Sequence, residues 1–354
     1  MQTKRKYDYL SSNDPEITKY DLNYQTIANG TSEFVDTLFS DSNMEKILRQ
    51  MIRESCKTKS IGWLPCYSLK ESDLLSNRNN SSTSKDKVKF IVNKYREASE
   101  KSGNVGKEIY ITNFAMSTVS GKNHYCAFWI NKVHKILYFW DSATSKYENS
   151  EFTKLFRESA KLLFSTSNDP SSLGWVKEIK QLQGTTNETF FQYGGGYLGK
   201  RKSLLHQNIF CHTWTLFFLE LLLFGMSPKK IGCIRGKNSV IPLMIIKLYA
   251  QCLLKRIQTE ETKKKKYIGL WYIWDEEHER VIRLPNFSSG TFSAKNPKYC
   301  CAKNVVDVIV ASKNYEFPKN CEKKDFEVLQ KICGKSCASS QNVQNSSFLS
   351  QLYV

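Results

Sequence analysis

Three residues stand where a thiol hydrolase would need them. His124 opens an apolar run, Asn123-His124-Tyr125-Cys126-Ala127-Phe128-Trp129-Ile130, and Asp141 closes the next one, Ile136-Leu137-Tyr138-Phe139-Trp140-Asp141. Cys211 stands where Leu204-Leu205-His206-Gln207-Asn208-Ile209-Phe210 gives way to the apolar stretch His212-Thr213-Trp214-Thr215-Leu216-Phe217-Phe218-Leu219. A thiolate nucleophile needs a base or a field that favours its ionised form. An imidazole supplies the base, and a carboxylate fixes the imidazole's orientation. The tetrahedral oxyanion needs N–H donors, and Gln207, Asn208 or the backbone N–H of Cys211 can offer them.

The elements that must position these groups follow from the same residues. Asn131 to Lys135 is a short polar connection, so the two apolar runs read as a β-hairpin. In a tight antiparallel hairpin the start of the first strand lies opposite the end of the second, which brings His124 and Asp141 together. Cys211 opens a predicted helix ending at Gly225, and the positive end of a helix dipole favours a thiolate. The other ten cysteines show no such pairing, and Cys126, inside an apolar strand, is expected to be buried and inert. Three other histidines compete for the role of base: His134 in the hairpin turn, His206 with no evident orienting group, and His212 beside the thiol. Trp129 and Trp140 read as core residues, with walling of a substrate groove as the alternative.

A His leading an apolar strand, a second strand ending in Trp140-Asp141-Ser142, and a Gln shortly before a Cys that opens a helix resemble the ubiquitin-like-protein protease superfamily of cysteine proteases. That superfamily includes the SUMO proteases and the adenovirus and African swine fever virus maturation proteases. The resemblance covers about residues 105 to 225 and includes the seventeen-residue His-to-Asp spacing. It implies an α+β fold, a small central β-sheet flanked by helices with the nucleophile at a helix N-terminus. It also implies His124 as general base, Asp141 as its orienter, Cys211 as nucleophile and Gln207 as oxyanion donor. The substrate implied is a viral polyprotein or a ubiquitin-like-protein conjugate, and the chain would be a divergent large-DNA-virus member. The sequence departs from the pattern at Phe210-Cys211-His212, where the family commonly has Asp-Cys-Gly. The interval from Asp141 to Cys211 (211 − 141 = 70) implies an insertion near residues 165–202.

Elsewhere, residues 1–40 read as a polar arm, 41–260 as the protease-like domain, 261–337 as a C-terminal extension or embellishment, and 338–354 as a disordered tail. Residues 44–52 and 87–99 carry helical apolar spacing, and Leu75 to Asp86, rich in Ser and Asn, reads as an exposed loop. Helices are also expected from Ser150 to about Leu163 and from Val240 to Leu254, and a β-like run from Tyr267 to Trp274. The N-terminus has no apolar core of a signal peptide, and the longest apolar run, Thr215 to Met226, contains Glu220, so no membrane span is expected. Eleven cysteines without a leader point to free thiols in a reducing intracellular compartment, the host cytoplasm and virion under the resemblance. Cys333-x3-Cys337 lacks a second clean pair, so neither metal nor cofactor is expected.

The net charge of +18 suits polyanions, and Lys200-Arg201-Lys202 and Lys263 to Lys266 are candidate contacts for nonspecific nucleic-acid binding. The rival to an enzyme is an inactive protease fold acting as a basic, nucleic-acid- or virion-associated protein. Gly194-Gly195-Gly196 reads as a flexible turn.

Overall fold

The computed structural model describes residues 27, 41–55, 59–78, 82–121, 123–142, 151–166, 172–182, 210–226, 240–257, 267–275, 280–284, 301–302 and 305–306. The architecture is α+β, with a mixed central sheet between helices. In chain order the elements are α1 (Asp41–Glu54), β1 (Ile61–Trp63), β2 (Ser68–Lys70), α2 (Glu71–Arg78), α3 (Ser82–Glu100), β3 (Ile109–Ser117), β4 (Asn123–Asn131) and β5 (Ile136–Trp140). They continue with α4 (Glu151–Phe164), β6 (Glu178–Gln181), α5 (Cys211–Leu223), α6 (Val240–Arg256), a 3₁₀ turn (Ile268–Leu270), β7 (Tyr272–Asp275) and β8 (Arg280–Arg283).

The sheet runs β1-β3-β4-β5-β6, with β2 also pairing β3. The expected hairpin is its centre. Strands β4 and β5 are antiparallel from Ala127↔Trp140 to Asn131↔Ile136, and β3 pairs with the whole of β4 from Ile109↔Asn131 to Ser117↔Asn123. Every residue from Cys126 to Asn131 is buried, as a continuous apolar run in a central strand requires.

Alternation along β4 sends successive side chains to opposite faces. On one face Phe218 of α5 stacks on Trp140 at 4.3 Å and lies 6.0 Å from Trp129, and Asn113 Nδ2 donates to Thr215 Oγ1. Both tryptophans are therefore core residues. On the other face Phe156 of α4 packs on Phe114, Phe128 and Phe139, while Tyr95 of α3 stacks on Phe164. Helix α5 is buried along its full length and ends as its sequence implies. Gly225 takes φ 91°, its N–H donates to Leu222 O, and the Met226 N–H donates to Leu221 O.

One expectation fails. Leu75 to Asp86 is not an exposed loop: α2 runs through Arg78 and α3 starts at Ser82. Leu74 and Val88 bury their side chains in the core, Ser84 is buried too, and Ser82 and Asp86 are exposed. Residues 79–81, the Gly194–Gly196 run, both basic clusters and the cysteines at 333 and 337 lie outside the described residues. Among the described residues no helix is long and apolar enough to cross a membrane.

The described part of the 267–306 region packs into the same hydrophobic cluster as α5 and α6 through Tyr267, Leu270, Ile273, Ile282, Cys301 and Val305. Lys247 of α6 fastens it. Its buried ammonium donates to Gly269 O at 2.8 Å and Tyr272 O at 2.6 Å, and Gln251 Nε2 donates to Leu270 O. Burial pulls the Lys247 pKa down to about 7. An unfolded lysine titrates near ~10.4, so between these values the unfolded chain binds more protons and stability rises with pH. Against Lys247→Met, the native protein should therefore gain relative stability as pH climbs from about 7 to 10, by at most about 1.4 kcal/mol per pH unit. Denaturant melts of both proteins across that range measure the slope, and parallel curves would refute the assignment.

Candidate active site

The hairpin register explains how the first two groups meet. Ala127 pairs with Trp140, so the next position places Asp141 opposite Cys126. His124 shares the face of Cys126, two residues away. His124 Nε2 lies 2.6 Å from Asp141 Oδ1, and both residues are buried, at 3% and 5% exposure. A carboxylate can only accept, so the Nε2 proton points at Asp141 and Nδ1 is left for another partner. The Phe152 ring, from α4, is tilted against the imidazole with the two ring centres 4.6 Å apart, and helps exclude water.

Cys211 is the first residue of α5 and is 6% exposed. Its thiol is close enough to the His124 ring to raise the imidazole's pKa. The neighbouring His212 ring is 5.6 Å from the ring of Tyr125, so the N-terminus of α5 sits against the start of β4. His124, Asp141 and Cys211, 87 positions apart at the extremes (211 − 124), thus converge at one end of the sheet.

The electrostatics follow from the burial. Desolvation disfavours a charged imidazole, but the Asp141 carboxylate more than offsets it by charge and hydrogen bond. The His124 pKa lies well above the usual histidine value, with smaller contributions from hydrogen bonds to Cys126 and Cys211. A protonated imidazole beside a thiol is the arrangement that holds a thiolate. His212 behaves oppositely: burial pushes its pKa well below the usual value. It therefore stays neutral, with Nε2 3.4 Å from Thr213 Oγ1. His134 sits in the turn at the far end of the hairpin, where its N–H donates to Asn131 Oδ1. Gln207, Asn208 and His206 lie outside the described residues.

Cys126 corrects the sequence reading in part. It is fully buried, and burial followed by the Asp141 charge pushes its thiol up to about 12. Yet it is not isolated: its sulfur, a His124 ring nitrogen and an Asp141 oxygen all lie within 4.8 Å of one another. The signal was the His-x-Cys spacing, which on a strand puts both side chains on one face. None of the five described cysteines, Cys66, Cys126, Cys211, Cys252 and Cys301, is in a disulfide.

No family model, no curated protein and no solved structure matches this chain.

Proposed function

We propose that the chain is a cysteine endopeptidase working through Cys211, His124 and Asp141 on the fold of the ubiquitin-like-protein protease superfamily. The observation that carries this reading is the buried 2.6 Å His124–Asp141 pair with the Cys211 thiol on the same imidazole at a helix start. Cys211 Sγ attacks the scissile carbonyl carbon, with its proton held by His124. The tetrahedral oxyanion is met by the Cys211 backbone N–H and Gln207. The carbon–nitrogen bond breaks, the imidazolium protonates the departing amine, and an acyl-thioester remains. His124 then takes a proton from water, which attacks the thioester and releases the carboxylate product and Cys211.

The substrate in this reading is a viral polyprotein or a ubiquitin-like-protein conjugate, encountered in a reducing intracellular compartment or the virion. Incubating the chain with candidate precursors and conjugates, with Cys211→Ser as control, tests it. Cleavage by the wild type alone is the expected result, and cleavage by both proteins would assign the activity to a contaminant.

The surplus of basic residues, 52 Lys and Arg against 34 Asp and Glu, supports nucleic acid as a second partner. Affinity for a duplex of arbitrary sequence should fall linearly on a log–log plot against salt, by about 0.9 decades per decade of salt for each phosphate neutralised. Absence of binding at low salt, in a fluorescence-anisotropy titration, would remove this partner.

A further inference from the structure

The triad face of β4 carries one more potential ligand than proteolysis uses. His124 and Cys126 are two residues apart on one strand and point the same way, and Asp141, just past the end of β5, continues the register opposite Cys126. One donor atom from each lies within 4.8 Å of the others, and all three residues are buried. We propose that His124, Cys126 and Asp141 form a zinc-binding site whose occupation is mutually exclusive with the catalytic pairing of His124.

The donor set selects the metal class. One thiolate, one imidazole nitrogen and one carboxylate oxygen are the ligands of tetrahedral Zn²⁺, and the mixture of soft and borderline donors disfavours Mg²⁺ and Ca²⁺. Zinc–donor bonds of about 2.0–2.3 Å separate the donors of a tetrahedral site by roughly 3.3–3.8 Å. The present spread therefore needs small side-chain rotations: the 2.6 Å His124–Asp141 contact opens and the wider distances close. Charge also fits. A divalent cation with one thiolate, one carboxylate and a neutral imidazole adds to zero, so the sheet buries no net charge on binding. Uptake releases the thiol proton of Cys126 and the Nε2 proton of His124 to solvent. Cys211 acts on the same ring but is not one of the three donors.

The inhibitory consequence rests on the protease reading; the metal site itself does not. Zinc would hold the imidazole that Cys211 needs, giving a latent form that a chelator restores. The experiment uses the full-length chain stripped of metal, titrated with Co²⁺ as an optical probe and then with Zn²⁺ in competition. One tight site per chain with a thiolate-to-cobalt charge-transfer band is expected. Cys126→Ala and the near-isosteric Cys126→Ser should each weaken binding at least about 10²-fold, while a Cys333→Ser/Cys337→Ser variant should retain the site. Equal binding by the wild type and both Cys126 variants, or loss of binding in the Cys333/Cys337 variant instead, would overturn the assignment. The second arm measures alkylation of Cys211 with and without one equivalent of Zn²⁺. Protection reversed by a chelator supports mutual exclusion, and equal labelling in both conditions overturns it. A wild type that binds zinc through Cys126 but whose Cys211 is inert in both conditions leaves the metal site standing and removes the protease reading.

Discussion

Cys211→Ser and His124→Ala should each reduce turnover of a cleavable substrate by about 10⁴- to 10⁶-fold, and the double variant should lose little more than either alone. The reason is that the two groups act as a unit: the thiol without its imidazole lacks a proton acceptor, and the imidazole without the thiol has nothing to activate. Asp141→Asn should behave differently. The amide keeps a hydrogen-bond acceptor near His124 Nε2 but loses the charge, and a hydrogen bond to a charged group contributes about 1.5–3 kcal/mol. That corresponds to roughly 10- to 10²-fold in rate. Steady-state kinetics of the four variants test the ordering. Equal losses for Asp141→Asn and His124→Ala would mean that Asp141 does more than orient the ring.

The second large effect is on stability. Helix α5 carries Glu220, fully buried, nine residues beyond the nucleophile. Its carboxylate accepts from Arg256 Nη2 at 2.6 Å and from the backbone N–H groups of Cys301 and Ala302. Arg256 Nη2 also donates to Glu54 Oε2 at 2.5 Å, so α1, α5, α6 and the C-terminal region share one ion network. Removing one partner of such a network leaves a buried charge uncompensated, at about 3–5 kcal/mol. Glu220→Ala should therefore lower unfolding free energy by that amount in denaturant titrations. Glu54→Gln should cost less, since the Glu54 side chain keeps 14% of its exposure and water can replace part of its role. Glu220→Leu combined with Arg256→Met should recover much of the loss, because an apolar pair of similar volume has no desolvation to offset. A double variant no more stable than Glu220→Ala would show that the two N–H groups of Cys301 and Ala302 dominate.

Much of this was legible in the residue order because the signals were local. The hairpin rests on two apolar runs with a polar link, and α5 on an apolar stretch, interrupted by Glu220 and ended by glycine. The His124–Asp141 contact follows from hairpin geometry alone. Other features needed the third dimension. The helix at 71–78 was hidden because its residues, Glu71 to Arg78, include only two apolar ones, Leu74 and Leu75, whereas 87–99 already carried helical spacing. The Glu220–Arg256–Glu54 network joins residues up to 202 positions apart, for which no local pattern exists. Cys126 is buried as its apolar strand implied; what went unread is that alternation also puts it beside His124 rather than against α5. The role of Lys247 was not legible either, because the two carbonyls it is buried against are supplied only by the fold.

The central claim is that Cys211 is an activated thiol, and its alkylation tests that most directly. The metal-free chain is treated with limiting iodoacetamide and the modified cysteine located by peptide mapping. Cys211 should be labelled first among the eleven cysteines, His124→Ala should slow that labelling strongly, and Asp141→Asn should slow it less. If Cys211 in the folded wild type reacts no faster than Cys56 or Cys321, the triad is not assembled for catalysis and the chain is better understood as an inactive scaffold.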